Sequence, residues 1–255
     1  MENVQEVLPG VRLVRAPNPS PLTLGGTNTW VVESGWVVDP GPAIPEHVER
    51  VAAAAPAPRG IVLTHSHADH SEAAPELDAR LGGVGVVLPR DGDVVGPFTV
   101  VGTAGHSADS VSLLYGQVLF TGDTVLGEGS VFIAPGEGSL SAYLRSLERL
   151  LELDLKAICP GHGPVVRDPA AKLREYRDHR LEREARLVAA LDAGVRTTDE
   201  LLAHAWSDVD LSAAPLLRIA AAATLAAHLE KLSEESRLPD GVAPDALAGP
   251  SWGAG

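Results

Sequence analysis

Three histidines and one aspartate fall within the seven residues 64–70, THSHADH, directly after the apolar run at residues 60–63. His65 and His67 are two residues apart, so in an extended segment both imidazoles project to the same side. Asp69 and His70 follow, where the chain turns toward a predicted helix. Imidazole and carboxylate groups together suit Zn²⁺, and two neighbouring ions could be served from this one loop.

Further candidate ligands lie in turns that follow other predicted strands. His106 lies in TAGHS at 103–107, Asp123 in FTGDT at 120–124, and His162 in CPGHG at 159–163. Loops at strand ends are where catalytic residues usually lie. Together with the 64–70 segment, these turns offer donors for a two-metal hydrolytic site, in which the ions are about 3.5–4 Å apart.

Other residues of the same types have less specific contexts. Asp39, in the turn after residues 36–38, is interpreted either as a turn residue or as a hydrogen-bond partner that holds a ligand imidazole. Cys159, the only cysteine, is expected to be a small core residue and not a nucleophile. Four histidines lie within predicted helices and are expected at the surface or between domains, and not in metal binding: His47, His179, His204 and His228.

Short strands and helices alternate over residues 11–163 and must position these groups. Strands are predicted at 11–14, 28–32, 36–38, 60–64, 84–88, 98–102, 111–115, 117–121 and 156–159. Helices are predicted at 45–55, which begins with a first-turn proline, at 71–81, with Ser71 as its cap, and at 139–153, where leucines recur on one stripe. The pattern predicts an α/β catalytic domain over residues 1–167.

After residue 169 the pattern is helical. Helices are predicted at 168–191, at 197–205, opened by the capping box Thr197-x-x-Glu200, and at 215–235. We therefore predict a small helical domain over residues 168–238. Residues 239–255, rich in glycine, alanine and proline, are predicted to be a flexible tail.

Composition and charge limit the classes of partner. The 255 residues are 45% hydrophobic and 21% charged, which is globular composition, and no apolar run is long enough for a membrane span or an export signal. The net charge of −14 argues against tight nonspecific binding of nucleic acid, so no DNA partner is expected. A small anionic substrate is compatible with it, because remote charges are screened beyond about 8 Å. The lone cysteine fits a reducing cytoplasm.

The candidate ligands resemble, in type and order, the metal-binding pattern of the metallo-β-lactamase-fold hydrolases. All seven positions of that pattern are filled: His65, His67, Asp69, His70, His106, Asp123 and His162. The resemblance implies a four-layer αββα sandwich. It also implies one ion held by His65, His67 and His106, a second held by Asp69, His70 and His162, and Asp123 as the bridge between them.

Three segments resemble the lactamase-beta-2-like subfamily more narrowly. They are residues 18–30, residues 123–127, and Tyr176-x-x-His179-Arg180-x-x-Arg183-Glu184. This resemblance implies that the helical domain is winged-helix-like. Characterised members include endoribonucleases specific for single-stranded RNA, and related sequences include thioesterases that act on polyketide carriers. Four residues are substrate-binding candidates: Thr27, Asn28, Arg177 and Arg180.

Four functions compete on these residues: a phosphodiesterase, an ester, thioester or lactone hydrolase, an iron oxidoreductase of the same fold, and a module with structural metals. The diiron flavoproteins of the fold carry glutamate where this chain has His67, and structural zinc sites are closed and usually rich in cysteine. We therefore predict a hydrolase with two Zn²⁺ ions, manganese or iron being alternatives. A metal-bridging hydroxide would attack the substrate, with Asp69 and Asp123 as the catalytic carboxylates. Single-stranded RNA is the first substrate expected and an ester or thioester the alternative, and the oligomeric state is left open.

Overall fold

The computed structural model describes residues 4–212, 215–239 and 242, and the chain divides into two compact units. The first unit comprises the described residues up to Thr103 together with Asp109–Val131 and Glu152–Lys172. The second comprises Ala104–Ala108, Phe132–Leu151 and the described residues from Leu173 onward. The domain boundaries 1–167 and 168–238 stay predictions. Most of the tail predicted at 239–255 lies outside the described residues.

A six-stranded sheet forms one layer of the first unit. Its strands lie side by side in chain order: β1 (Val4–Leu8), β2 (Val11–Arg15), β3 (Asn28–Val32), β4 (Trp36–Val38), β5 (Gly60–Val62) and β6 (Val86–Val87). Strands β1 to β4 pair antiparallel, whereas β4, β5 and β6 pair parallel. Because parallel strands end at the same edge of a sheet, the residues that follow β4 and β5 lie side by side.

The second sheet of this unit has five strands. They are β7 (Val94–Val95), β8 (Phe98–Gly102), β9 (Val111–Tyr115), β10 (Val118–Gly122) and β11 (Ala157–Pro160), in the spatial order β11-β10-β9-β8-β7. Only β10 and β11 pair parallel in it. This pair brings together the turns that carry Asp123 and His162.

Apolar side chains of both sheets share one core. Trp30 of β3 packs on Phe120 of β10 with ring centroids 6.0 Å apart, and Val62, Leu113 and Cys159 are buried in the same cluster. Each large apolar side chain buried in this way contributes about 1.5–3 kcal/mol. On its other face, the first sheet packs against α1 (Pro45–Ala54) and α3 (Ala74–Arg80), which follows the short helix α2 (Ala68–Ser71).

The second unit is helical. It contains α4 (Leu140–Leu151), most of α5 (Pro169–Asp192), α6 (Thr198–Ala205) and α7 (Pro215–Glu234). Leu187, Leu201, Trp206, Leu225 and Leu229 form its core. From Pro169 onward the described residues form helices and turns and no strand, so the wing strands of a winged helix stay a prediction.

The predicted fold class is confirmed: two sheets and helices of the αββα type, with a C-terminal helical region. The prediction that Ser71 caps a helix is wrong, because its hydroxyl donates to the carbonyl oxygens of Ser66 and His67 and α3 begins only at Ala74. The short strands β1 and β7 were not predicted. No helix within the described ranges is long and apolar enough to span a membrane.

The expectation that His47 lies at the surface or between domains is also wrong. It belongs to the face of α1 that turns toward the first sheet, together with Val48, Val51 and Ala54, and it is fully buried. Its Nε2 lies 3.0 Å from the Thr29 hydroxyl. His228, in α7, is buried as well.

Candidate metal centre

The segment after β5 carries the first pair of histidines. Thr64 and His65 are buried at the end of the strand, and His67 keeps an extended backbone, with φ −56° and ψ 141°, before α2 begins. The Nε2 atom of His65 lies 3.1 Å from Nδ1 of His67. The two imidazoles therefore present their nitrogens to one point, as expected from the spacing of two residues.

A second group of donors converges around His70, which α2 turns back toward the strand ends. Its Nε2 lies 3.3 Å from Nε2 of His162 and 3.5 Å from Oδ2 of Asp69. The His162 Nε2 and the Asp69 Oδ2 are themselves 3.2 Å apart. Asp123 spans this group, since its Oδ1 lies 3.4 Å from the His70 Nε2 and its Oδ2 lies 3.4 Å from the His162 Nε2.

These separations match the spacing of ligands around a metal ion. Donors 2.0–2.2 Å from a tetrahedral ion are about 3.4 Å from one another. The triangle formed by the donor atoms of Asp69, His70 and His162, with sides of 3.2–3.5 Å, has the size of one face of such a tetrahedron. Nitrogen and carboxylate donors together fit zinc, and manganese or iron as well.

The charges of the group favour ionised carboxylates. Burial alone would raise the pKa of Asp123, but the imidazoles of His70 and His162 outweigh it and hold this pKa well below its usual range. Burial likewise opposes the charge of His162, yet Asp123 and Asp69 raise its pKa to about 9. The carboxylates are thus ionised beside protonated imidazoles, and a cation that binds there would displace the imidazole protons, as metal binding to histidine requires.

Asp39 fixes the orientation of His70. It follows β4 with a left-handed backbone, φ +50°, which aspartate tolerates better than most residues. Its Oδ2 lies 2.9 Å from Nδ1 of His70, and both residues are almost fully buried. An ionised carboxylate only accepts hydrogen bonds, so the His70 Nδ1 donates and the Nε2 lone pair points toward Asp69 and His162.

The same carboxylate reaches His65 through Thr64. Asp39 accepts hydrogen bonds from the Thr64 backbone N–H and from the Thr64 hydroxyl, both at 2.7 Å. With its proton donated to Asp39, the hydroxyl can accept one from Nδ1 of His65, 3.1 Å away. Sequence reasoning missed Thr64, although a polar residue that closes an apolar strand directly before a ligand was the available signal.

Gly161 leaves room for the second group. A Cβ at this position would lie 2.5 Å from Oδ1 of Asp123 and 2.6 Å from Cε1 of His70, which is closer than real contacts allow. Only glycine therefore fits at the turn that precedes His162.

Thr27 and Asn28, predicted as substrate-binding residues, hold the His162 turn instead of facing solvent. Both are fully buried. Thr27 forms a β-bridge with His162, and its hydroxyl lies 3.4 Å from Oδ2 of Asp69, a long contact. The Asn28 amide donates to the carbonyl oxygens of Pro160 at 3.0 Å and Gly163 at 2.8 Å. A role toward substrate stays a prediction for both residues.

In the second unit, hydrogen bonds hold the ring of His106 and the loop that carries it. Its Nδ1 lies 3.2 Å from the carbonyl oxygen of Phe132, which can only accept, so its Nε2 carries the lone pair. The Ser146 hydroxyl of α4 donates to the carbonyl oxygen of Ala104 at 2.8 Å and holds the same loop. The role of His106 as a metal ligand stays a prediction.

Carboxylates and a ring engage the two arginines that were predicted to bind substrate. Arg177 donates from Nε to Asp178 at 2.8 Å and from Nη1 to Glu148 at 3.4 Å. Arg180 is buried, and its guanidinium lies 5.6 Å from the centroid of the Tyr143 ring. Both cations thus have partners within the second unit.

Comparison with known proteins gives consistent matches. The family model described as the metallo-beta-lactamase superfamily matches residues 22–91 and 84–162. An atrochrysone carboxyl ACP thioesterase from Aspergillus chevalieri is 33% identical, and the match covers 75% of this chain and 68% of that protein. A beta-lactamase-like protein 2 homolog from Drosophila melanogaster is 30% identical, with 87% of each chain covered.

Solved structures resemble the chain over nearly its whole length. A metallo-beta-lactamase family protein from Thermus thermophilus has a TM-score of 0.69 at 26% identity, covering 94% of this chain and 98% of that one. A beta-lactamase domain protein from Burkholderia ambifaria has a TM-score of 0.80 at 21% identity, covering 96% and 91%. At that lower identity the likeness concerns the fold alone.

Proposed function

Because the chain belongs to the metallo-β-lactamase superfamily, we propose that it is a two-metal hydrolase whose substrate is an ester or, first among these, a thioester. It is a metal-dependent hydrolase by family. The observation that carries the two-metal proposal is the convergence of Asp69, His70 and His162 on one point, with Asp123 spanning two of them.

The resemblance assigns His65, His67 and His106 to one ion and the other three terminal ligands to the second, with zinc as the metal we propose. When bound, two divalent ions lower the pKa of a water and polarise the scissile carbonyl or phosphoryl oxygen. Asp39 and Thr64 keep the imidazole lone pairs aimed at the centre. Asp69 is the most exposed carboxylate of the group, at 31%, and would accept the proton that the attacking water loses.

Two observations support a thioester over a phosphodiester. A relative that is 33% identical is named as a thioesterase of an acyl carrier protein. RNA binding depends on cations that reach phosphates, and the arginines predicted for that purpose are engaged: Arg177 by Glu148 and Asp178, and Arg180 by burial beside Tyr143. The net charge of −14 adds to the repulsion of a polyanion.

Single-stranded RNA stays as the second candidate. It is supported by the subfamily resemblance and by relatives named beta-lactamase-like protein 2 homologs in Caenorhabditis elegans and Drosophila melanogaster. If RNA is the substrate, Arg180→Glu should abolish its cleavage while leaving thioester hydrolysis measurable.

The test compares three substrates with one zinc-loaded preparation: an acyl-pantetheine thioester, a lactone, and unstructured single-stranded RNA at defined salt. We expect about two ions per chain by elemental analysis, and thioester turnover that Asp123→Ala abolishes. Cleavage of RNA with the thioester left intact would reverse the order of the two candidates. One ion per chain with full activity would contradict the two-metal assignment.

A further inference from the structure

The first unit contains a cavity apart from the metal-binding residues, beside β2. Its volume is about 330 Å³, at the lower end of the range for small-molecule sites. Arg15, at the end of β2, and Arg50, on α1, both line it. None of the described residues that line it is acidic, although the chain as a whole carries a net charge of −14.

The guanidinium of Arg15 is oriented but only partly used. Its Nε donates to Oδ1 of Asn28 at 3.2 Å, which fixes the plane of the group. In the part of the chain that the structure describes, no hydrogen bond or ion pair engages its two Nη atoms. Gly25 lies against this group, since a Cβ built there would be 3.5 Å from Nη1.

Arg50 joins the same wall. Its Nη2 donates to the backbone carbonyl oxygen of Arg15 at 3.4 Å, and its Nε donates to the carbonyl oxygen of Glu46 at 3.3 Å. These two bonds hold the second guanidinium beside the first. A fixed pair of guanidinium forks suits a carboxylate or phosphate group.

The remaining walls suit the carbon skeleton of such a ligand. Leu13, Ala16 and Pro17 give apolar surface, and Gln5 adds an amide. We infer that this cavity binds a small organic anion that carries a carboxylate or phosphate group, at a site separate from the metal centre and beyond the proposed hydrolase function.

This site is joined to the metal-binding turn by one residue. Asn28 accepts the Nε bond of Arg15 and, through its amide, donates to the carbonyl oxygens of Pro160 and Gly163 on either side of His162. Arg15, which would hold the anion, therefore contacts the same side chain that supports the turn of a predicted metal ligand.

The experiment maps modification of arginines by phenylglyoxal in the metal-loaded full chain. Peptide mass spectrometry follows each arginine with inorganic phosphate, with succinate, and with chloride at matched ionic strength. We expect phosphate or succinate to protect Arg15 and Arg50, and chloride not to. Arg12 and Arg59, from the same unit, should react equally in all three. Because the extent of modification is measured for each arginine separately, phosphate that binds at the metal ions does not affect the interpretation.

Calorimetric titration with the protecting anion supplies the second measurement. Arg15→Gln and Arg50→Gln should each weaken its binding at the protected site about tenfold, whereas Arg12→Gln, with the same change of charge, should leave it within about twofold. Protection of all four arginines to one extent would show only screening and would overturn the site. If Arg15 and Arg50 react as fast in phosphate and in succinate as they do in chloride, the site is overturned as well.

Discussion

Asp39 supports imidazoles in both groups of candidate ligands. It accepts directly from His70, and through the Thr64 hydroxyl it is connected to His65. Partners of this kind fix the tautomer of a ligating histidine and raise its basicity. A single buried carboxylate thus sets which nitrogen each of the two rings presents.

Replacing Asp39 by asparagine should weaken the binding of both ions by about 10- to 100-fold, since an amide cannot accept all the bonds that the carboxylate accepts. Competition with a chelator at equilibrium measures this. Thr64→Val should weaken mainly the ion held by His65, and Thr64→Ser, which keeps the hydroxyl, should restore it. Parental affinity for both ions in Asp39→Asn would show that the carboxylate does not orient the rings.

Gly161 allows a steric test of the same centre. Gly161→Ala would place a methyl group against Asp123 and His70 and should lower the metal affinity at least about tenfold while circular dichroism stays parental. Gly25→Ala is the matched control, because its methyl group would meet only the Arg15 side chain at ordinary contact distance. Equal metal affinity in both variants would mean that the turn can move away from the ligands.

At the scale of elements, the ends of the strands were predictable and their neighbours across the sheet were not. The apolar runs and Gly/Pro turns indicated β3, β5, β8 and β9 within a residue or two, and hence the turns that carry the candidate ligands. Local sequence could not show that His47 meets Thr29, because that contact depends on which face of α1 lies on the sheet. Thr64 and Asp39 escaped full recognition for the same reason, since their pairing follows from parallel neighbours β4 and β5.

Burial of His47 should make the stability of the first unit depend on pH. Burial, and then the nearby Arg50, lower its pKa to about 4 from an ordinary value near 6.5, although the Pro40 carbonyl acts in the opposite direction. The unfolded chain therefore takes up this proton at a higher pH than the folded one. The free energy of unfolding should fall by about 3 kcal/mol as the pH drops from 6.5 to 4.

Denaturant unfolding in excess chelator, at several pH values, measures this contribution. In His47→Gln that part of the pH dependence should be absent, whereas His204→Gln, an exposed histidine on α6, should follow the parent. The same slope in His47→Gln as in the parent would assign the effect to other groups.

At the scale of the whole molecule, the second unit holds a buried charged group. Glu184 of α5 contacts Lys231 of α7 at 2.8 Å and also pairs with Arg237. The side chains of Glu184 and Lys231 are both less than 10% exposed. The motif that contains Glu184 was identified in the sequence by resemblance, but its partners lie about 50 residues further along the chain. Only the packing of α5 on α7 brings them together.

Glu184→Gln should lower the free energy of unfolding by about 2 kcal/mol, because it removes the buried carboxylate that Lys231 and Arg237 share and leaves Lys231 with only the more exposed Glu235, 2.9 Å away, as a counter-charge. Chemical denaturation followed by tryptophan fluorescence reports this through Trp206, which lies in the same unit. Glu182→Gln on the exposed side of α5 should change stability by no more than about 0.5 kcal/mol. Equal effects of the two substitutions would remove the buried pair as a determinant of stability.

The reactivity of the Cys159 thiol can report how often the core of the first unit opens. The thiol is fully buried in the core between the two sheets, and this burial raises its pKa, so the reactive thiolate forms and meets a thiol reagent when this core opens to solvent. Because it is the only cysteine of the chain, the rate of labelling under native conditions measures how often that core opens. Metal ions that bind only the closed state should lower the rate of Cys159 labelling in proportion to their occupancy. The labelling rate can therefore report metal binding without any substrate being known.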